Sequence, residues 1–127
     1  MLKRVISLTV ALGMAAAGAA SAQAMPHPKG ITRTISGTVV DVSCRFGQGL
    51  SGDSHRMCSQ VCADKGIPLA ILGSDGKLYI PASANMLGDG QNDKLKEFAE
   101  QPVTVTGTVF AAGGANVIQI ATVARKS

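Results

Sequence analysis

The chain is poor in aromatic side chains. Its 127 residues include no tryptophan, one tyrosine and three phenylalanines. Proteins that bind single-stranded nucleic acid stack bases on such rings, beside a basic groove. Removing Lys3 and Arg4 with the amino-terminal segment described below leaves ten basic residues against eight acidic ones, spread without blocks. We therefore expect no nucleic-acid partner.

Complete catalytic motifs are also absent from the sequence. It has no paired carboxylates, no serine-nucleophile motif and no C-x-x-C redox pair. The stretch GQGLSG lacks the lysine of a phosphate-binding loop. His55 and Cys58 have the spacing of a base and a nucleophile, but no third residue is identifiable to orient them. We expect a binding or accessory module and not an autonomous enzyme; a thiol-dependent redox protein is the competing class.

Only the amino terminus carries a long apolar run. Residues 1–24 combine Lys3 and Arg4, an uncharged run over 5–20, and the small-residue site Ala22-Gln23-Ala24. This pattern predicts a secretory signal peptide, cleaved after Ala24 or, at a second site, after Ala22. No second apolar run follows, so we expect no membrane span after cleavage. The predicted location is periplasmic or secreted, which is an oxidising compartment.

The rest of the chain has the length of one domain with one core. Residues 25–30 predict a flexible leader, and residues 31–127 predict a single domain. Runs rich in Val, Ile and Thr predict strands, and helical spacing of apolar residues predicts two helices. The predicted strands are 31–43, 68–72, 77–81, 102–111 and 115–124, and the predicted helices are 54–65 and 93–101.

This order of elements predicts a mostly β fold. We expect a small five-stranded OB-like barrel, with one helix between strands 3 and 4. An inserted helix between strands 1 and 2 carries cysteines. A five-stranded α+β sandwich would give the same pattern. The residues expected inside are Val39, Leu95, Phe98, Val103, Val105, Val109 and Ile118.

Four residues concentrate the chemistry of the sequence. Cys44, His55, Cys58 and Cys62 follow the spacing C-x10-H-x2-C-x3-C, and the chain has no other cysteine. An odd number of cysteines in an exported protein cannot be absorbed by internal disulfides alone. One thiol stays free, or it pairs with another molecule, or the cysteines hold a metal.

A metal site is the first interpretation of this cluster. On a helix from Ser54, His55, Cys58 and Cys62 share one face, and Cys44 ends the first strand nearby. Three cysteines and a histidine suit copper or zinc, with Cu(I) expected before Zn(II). His55 and Cys62 differ by about 10.5 Å along an ideal helix axis. A smaller set, Cys58 and Cys62 with either Cys44 or His55, is therefore easier to assemble.

A disulfide is the alternative interpretation. Cys44 bonded to Cys58 or Cys62 would close a loop of about 15 residues and stabilise the fold by roughly 3 kcal/mol. The remaining cysteine would then be free, and no metal would be bound. The expected partner is a metal ion or a protein of the cell envelope, and the oligomeric state is left open.

The stretch from Gly37 to Leu72 resembles a set of small exported bacterial proteins, largely uncharacterised. Their pattern is a strand ending in Cys, a glycine-bearing loop, H-x2-C-x3-C and a G-x-P strand. The V-x-V-x-G-T strand near the carboxyl end is also similar. The resemblance implies export and an OB-like fold more than an activity. Arg45-Phe46 stands where many members have Tyr. The matching positions are Cys44, His55, Cys58, Cys62, Gly66 and Pro68.

Overall fold

Five strands form one sheet in the computed structural model, which describes Gly18 and residues 27–127. The predicted signal peptide, residues 1–24, lies outside the described residues except for Gly18. Of the predicted leader, residues 27–30 are described, and they are exposed and irregular. The strands are β1 Ile31–Asp41, β2 Leu69–Gly73, β3 Leu78–Pro81, β4 Pro102–Ala112 and β5 Ala115–Arg125.

The sheet closes on itself in a ring. The strand order is β1-β2-β3-β5-β4, and β4 pairs with β1 to complete the circuit. The β3–β5 pair is parallel, and the other four pairs are antiparallel. The predicted mostly β class and the five strands are therefore confirmed. A closed ring removes the exposed strand edges that an open sheet would present.

Short helices lie between β1 and β2 and between β3 and β4. They are α1 Val42–Gly47, α2 Arg56–Asp64 and α3 Asn92–Leu95, and 3₁₀ turns occupy Asp53–His55 and Lys96–Phe98. The helix predicted over 54–65 is confirmed. It consists of the 3₁₀ turn that ends at His55 and of α2, which follows directly. The helix predicted over 93–101 is shorter, because α3 passes into a 3₁₀ turn and Ala99 is already extended.

The predicted end of the first strand is wrong. The first strand ends at Asp41, not at Ser43, and Cys44 lies in α1 where the sequence predicts the end of a strand and a loop. The Asp41 carboxylate accepts the backbone N–H of Cys44 at 2.9 Å, which begins a helix. The N–H of Val42 donates to the Pro68 carbonyl at 3.1 Å, so the chain leaves the strand direction at this point.

The core fills the interior of the ring. Along β4, Val103, Val105 and Val109 are buried while the intervening threonines are half-buried, as a strand with one inward face requires. Leu95 of α3 and Phe98 of the 3₁₀ turn that follows it belong to the same buried cluster. All seven residues predicted to lie inside are buried. Within the described residues, no helix has the length and apolar character needed to cross a membrane.

Two isoleucines test this assignment of the core. Ile118→Ala removes a side chain that is 0% exposed and should lower the free energy of unfolding by about 2–5 kcal/mol. Ile31→Ala is the same change in a strand at a side chain that is 65% exposed, and it should cost about 0.5 kcal/mol or less. Urea unfolding followed by circular dichroism measures both. Equal losses would contradict the assignment.

Candidate metal centre

The turn from β1 into α1 places Cys44 in the site. Asp41 is fully buried and caps α1 through its Oδ1 atom. The N–H of Leu50 donates to the Cys44 carbonyl at 3.1 Å, so the chain after α1 folds back over it. The Cys44 side chain is consequently buried and lies beside α2 and not on the outer surface of β1.

Asn92 fixes the carboxyl end of α2. Its Nδ2 donates to the carbonyls of Ala63 at 3.0 Å and Ile67 at 2.8 Å, and its Oδ1 accepts the N–H of Leu69 at 3.0 Å. Gly66 has a φ of +90°, which lets the chain reverse after the helix. The end of α2 and the start of β2 are therefore held at one point.

Two further side chains tie α2 to the segment before β4. Arg56 donates from Nη2 to the carbonyl of Glu97 at 2.8 Å, and Gln60 donates from Nε2 to that of Lys96 at 3.2 Å. The helix is held at its start, its middle and its end. Cys58 and Cys62, one turn apart, thus have fixed positions relative to the ring.

The three thiols converge at the junction of α1 and α2. The Sγ atoms of Cys44, Cys58 and Cys62 all lie within 4.8 Å of one another, and we call this set the thiol cluster. All three cysteines are free, and the cluster grades from buried Cys44 through half-buried Cys62 to exposed Cys58. Sulfurs that share one ion at bonds of about 2.3 Å lie about 4 Å apart. The cluster therefore needs at most a small contraction to bind one ion.

His55 lies in a second group. The sequence places it on the helical face of Cys58 and Cys62, whereas it ends the 3₁₀ turn before α2 begins. There its ring nitrogen lies within 4.8 Å of the Cys44 sulfur and of an Asp41 oxygen. The four predicted residues therefore lie in two groups, and Cys44 belongs to both. We call Asp41, Cys44 and His55 the inner group.

Asp41 is the member of the site that sequence reasoning missed. Its Oδ2 atom and the Nε2 atom of His55 are buried without a hydrogen-bond partner. An unpaired buried polar group costs about 1–3 kcal/mol, so each such atom calls for an explanation, such as a bound water or ion. An aspartate three residues before Cys44 has the spacing of a helix cap, which could have indicated α1. The strand predicted through Ser43 left no room for that helix.

Burial and negative neighbours suppress thiolate formation at Cys44 and Cys62. Burial, the Asp41 carboxylate and Cys58 together raise the pKa of Cys62 to about 11, with burial the largest cause. Burial, Asp41 and Cys58 also raise the pKa of Cys44, and Cys62 partly offsets this. A metal must displace these protons to bind, so metal affinity should strengthen as the pH rises.

Glu100 supports the loop that carries His55. It is buried, it has a φ of +59°, and its Oε2 accepts the N–H of Gly52 at 3.0 Å. The Gly52 carbonyl in turn accepts the N–H of His55 at 2.9 Å. A positive φ is unfavourable for a residue other than glycine, and it persists here because the surrounding contacts hold Glu100 in place. Glu100 thus positions His55 without touching the thiols.

A broad groove of about 760 Å³ lies at the carboxyl end of α2, and no cysteine lines it. Its lining includes Asp64, Asp89 and Asp93 beside Leu69 and Pro81. Asp64 is paired with Lys96. Because the groove offers no soft donor and no buried unpaired charge, the thiol cluster and the inner group are the better candidates for specific chemistry.

Comparison with known proteins assigns no family. The chain matches no family model, no curated protein and no solved structure. The thiol cluster and the inner group are therefore the features of this chain that bear on its function.

The thiol environment predicts an order of reactivity. Cys58 is exposed and should be alkylated first at neutral pH, while Cys62 should react appreciably only as the pH approaches 11. Asp41→Asn removes a negative neighbour and should move the Cys62 profile to lower pH. The measurement is iodoacetamide labelling at several pH values with peptide mass mapping.

Asp53→Asn is the matched control, because Asp53 is exposed and outside both groups. It should leave the Cys62 profile unchanged. A Cys62 that reacts like an ordinary exposed thiol, or an equal shift in both variants, would contradict this description of the cluster.

Proposed function

We propose that this chain binds a soft metal ion, Cu(I) in preference to Zn(II), through Cys44, Cys58 and Cys62. One observation carries the proposal: the three thiol sulfurs lie within 4.8 Å of one another. They belong to two helices whose relative position is set by hydrogen bonds elsewhere. Little reorganisation is then required when an ion binds, which favours affinity.

The composition of the cluster favours Cu(I). Thiolate sulfur is the soft ligand that selects Cu(I), and Zn(II) shares this preference less strongly. Structural zinc sites are almost always four-coordinate. The thiol cluster supplies three sulfurs and no fourth, since His55 lies with Asp41 in the inner group. Three sulfurs alone suit Cu(I) better than a closed zinc site.

The graded burial of the cluster suits a protein that binds an ion and passes it on. Cys44 is buried, while Cys58 is exposed at the surface of α2. An incoming or outgoing ion could exchange ligands at Cys58 while two sulfurs still hold it. A binding or accessory module of the cell envelope is the class that fits this arrangement. Its partner would be the metal ion itself or an envelope protein.

The proposed setting is the periplasm or the cell exterior. The charged start, apolar run and Ala-Gln-Ala site of residues 1–24 support export. For the fold we propose an OB-type barrel, and the ring order with parallel β3 and β5 and α3 before β4 supports it. The pattern shared with the small exported bacterial proteins supports membership of that set.

A disulfide-linked module is the second candidate. The closeness of three free thiols favours it too, because in an oxidising compartment two of them could lose two electrons and two protons to a disulfide oxidant. Cys44 with Cys58 or Cys62 would then form the bond and one thiol would remain. The two candidates differ in the number of titratable thiols and in metal content.

Cu(I) titration of the reduced protein tests the proposal. Under anaerobic competition with a chromophoric Cu(I) chelator, the wild type should take up one Cu(I) ion in the thiol cluster. Cys62→Ser should weaken that binding at least about tenfold, because only two sulfurs remain and a supporting group alone is worth about 10–100-fold. Met57→Leu removes a soft sulfur that is 76% exposed and outside the cluster, and it should have no effect.

The outcome against the proposal is equally specific. One titratable thiol in the denatured protein as isolated, with no bound metal and no Cu(I) uptake after reduction, would establish the disulfide-linked module. Three titratable thiols with a bound ion that is lost in Cys62→Ser would establish the metal site.

Export is tested by the intact mass of the protein recovered from a periplasmic fraction. We expect the mass of residues 25–127, since cleavage after Ala24 follows the small-residue pattern. Cleavage after Ala22 would give the next longer product. A mass that retains residues 1–20 would contradict the proposed setting.

A further inference from the structure

The inner group has the properties of a second metal site. Asp41, Cys44 and His55 are 0%, 7% and 7% exposed, and one ligand atom from each lies within 4.8 Å of the other two. These three atoms come from the end of β1, from α1 and from the 3₁₀ turn before α2. Separate elements of the fold therefore bring a carboxylate, a thiol and an imidazole to one buried point.

Two of these ligand groups have an unused polar atom. Asp41 Oδ1 is occupied by the N–H of Cys44, but Oδ2 has no partner, and His55 Nε2 has none either. Buried polar atoms without partners call for a bound water or ion. For a carboxylate oxygen and an imidazole nitrogen beside a thiol sulfur, a metal ion is a better partner than a water molecule, because all three atoms are metal ligands.

The negative charge of the whole site also favours a second metal ion. With metal bound, the three thiolates and the Asp41 carboxylate would carry four negative charges, and one Cu(I) ion compensates only one of them. Uncompensated charge in a partly buried site is costly. A divalent cation beside the carboxylate would remove most of the excess.

We propose that Asp41, Cys44 and His55 bind a Zn(II) ion, and that the Cys44 sulfur bridges this ion to the Cu(I) ion of the thiol cluster. One oxygen, one nitrogen and one sulfur form a mixed set that suits Zn(II), and three protein ligands leave its fourth position for water. The inference rests on the proposed function for the bridging role of Cys44. The inner group itself does not require Cys58 or Cys62.

Metal counting by native mass spectrometry tests the two-ion centre. The reduced full protein is loaded with Zn(II) alone, with Cu(I) alone and with both. We expect one ion of each kind per chain in the mixed sample. Co(II) in place of Zn(II) should give the absorption bands of a tetrahedral ion with a thiolate ligand. One ion per chain in every sample would overturn the inference.

Variants separate the two sites. Cys58→Ser should weaken Cu(I) binding and leave Zn(II) bound, because Cys58 is outside the inner group. His55→Asn and Asp41→Asn should retain Cu(I) and lose Zn(II) affinity by at least about 100-fold, more than the loss of a supporting group usually costs. Asn at position 41 can still cap α1, so this variant keeps the turn.

Matched controls use the same substitutions outside the site. His27→Asn and Asp53→Asn change the other histidine and a nearby exposed aspartate, and both should bind Zn(II) as the wild type does. Circular dichroism checks the fold of each variant. If Asp41→Asn does not fold, His55→Asn decides the question, since His55 lies in a short turn and caps nothing through its side chain.

The outcomes distinguish this inference from the proposed function. A protein that binds Zn(II) through Asp41 and His55 but takes up no Cu(I) would support the inner site and refute the Cu(I) proposal. A protein that binds Cu(I) but no second ion would support the thiol cluster alone. Zn(II) or Co(II) binding that is unchanged in His55→Asn would refute the inner site.

Discussion

The hydrogen bond from the Cys44 N–H to the Asp41 carboxylate is the interaction on which the site depends. It is buried, 2.9 Å long, and it ends β1 and begins α1 in one step. Without this turn, Cys44 would continue along the sheet and would not reach α2. The same carboxylate adds to the burial that raises the pKa values of Cys44 and Cys62, and its Oδ2 atom has no hydrogen-bond partner. One residue therefore begins α1, contributes to the thiol chemistry and belongs to the second candidate ligand set.

Residues far along the chain hold α2 and the loop before it in place. Asn92 joins the end of α2 to the start of β2, and Glu100 holds the loop that leads to His55. Neither touches a thiol, yet each fixes the position of a ligand. A site on short helices and turns gains precision in this way, because its supporting contacts come from the rigid ring. The convergence of the cysteines is thus a property of the whole fold and not of the cysteine spacing alone.

Much of the fold is readable from the sequence because its signals are local. Alternating Val and Thr in β4 predict a strand with one buried face, and Gly113-Gly114 marks the turn into β5. Helix α1 could not be predicted, because Val42-Ser43-Cys44 has no strong helical preference. It forms through a capping carboxylate and the contact of Val42 with Pro68, which is remote in sequence. The grouping of His55 with Asp41 depends on the same tertiary path, whereas Cys58 and Cys62 follow directly from helical spacing.

The central claim is that three sulfurs from α1 and α2 surround one ion. X-ray absorption spectroscopy at the copper edge, on protein loaded with one equivalent of Cu(I), examines that coordination directly. The account predicts three sulfur neighbours at one distance, from Cys44, Cys58 and Cys62, and a reduction to two in Cys62→Ser. A first coordination shell of nitrogen or oxygen atoms, or a sulfur count that does not change in Cys62→Ser, would contradict it.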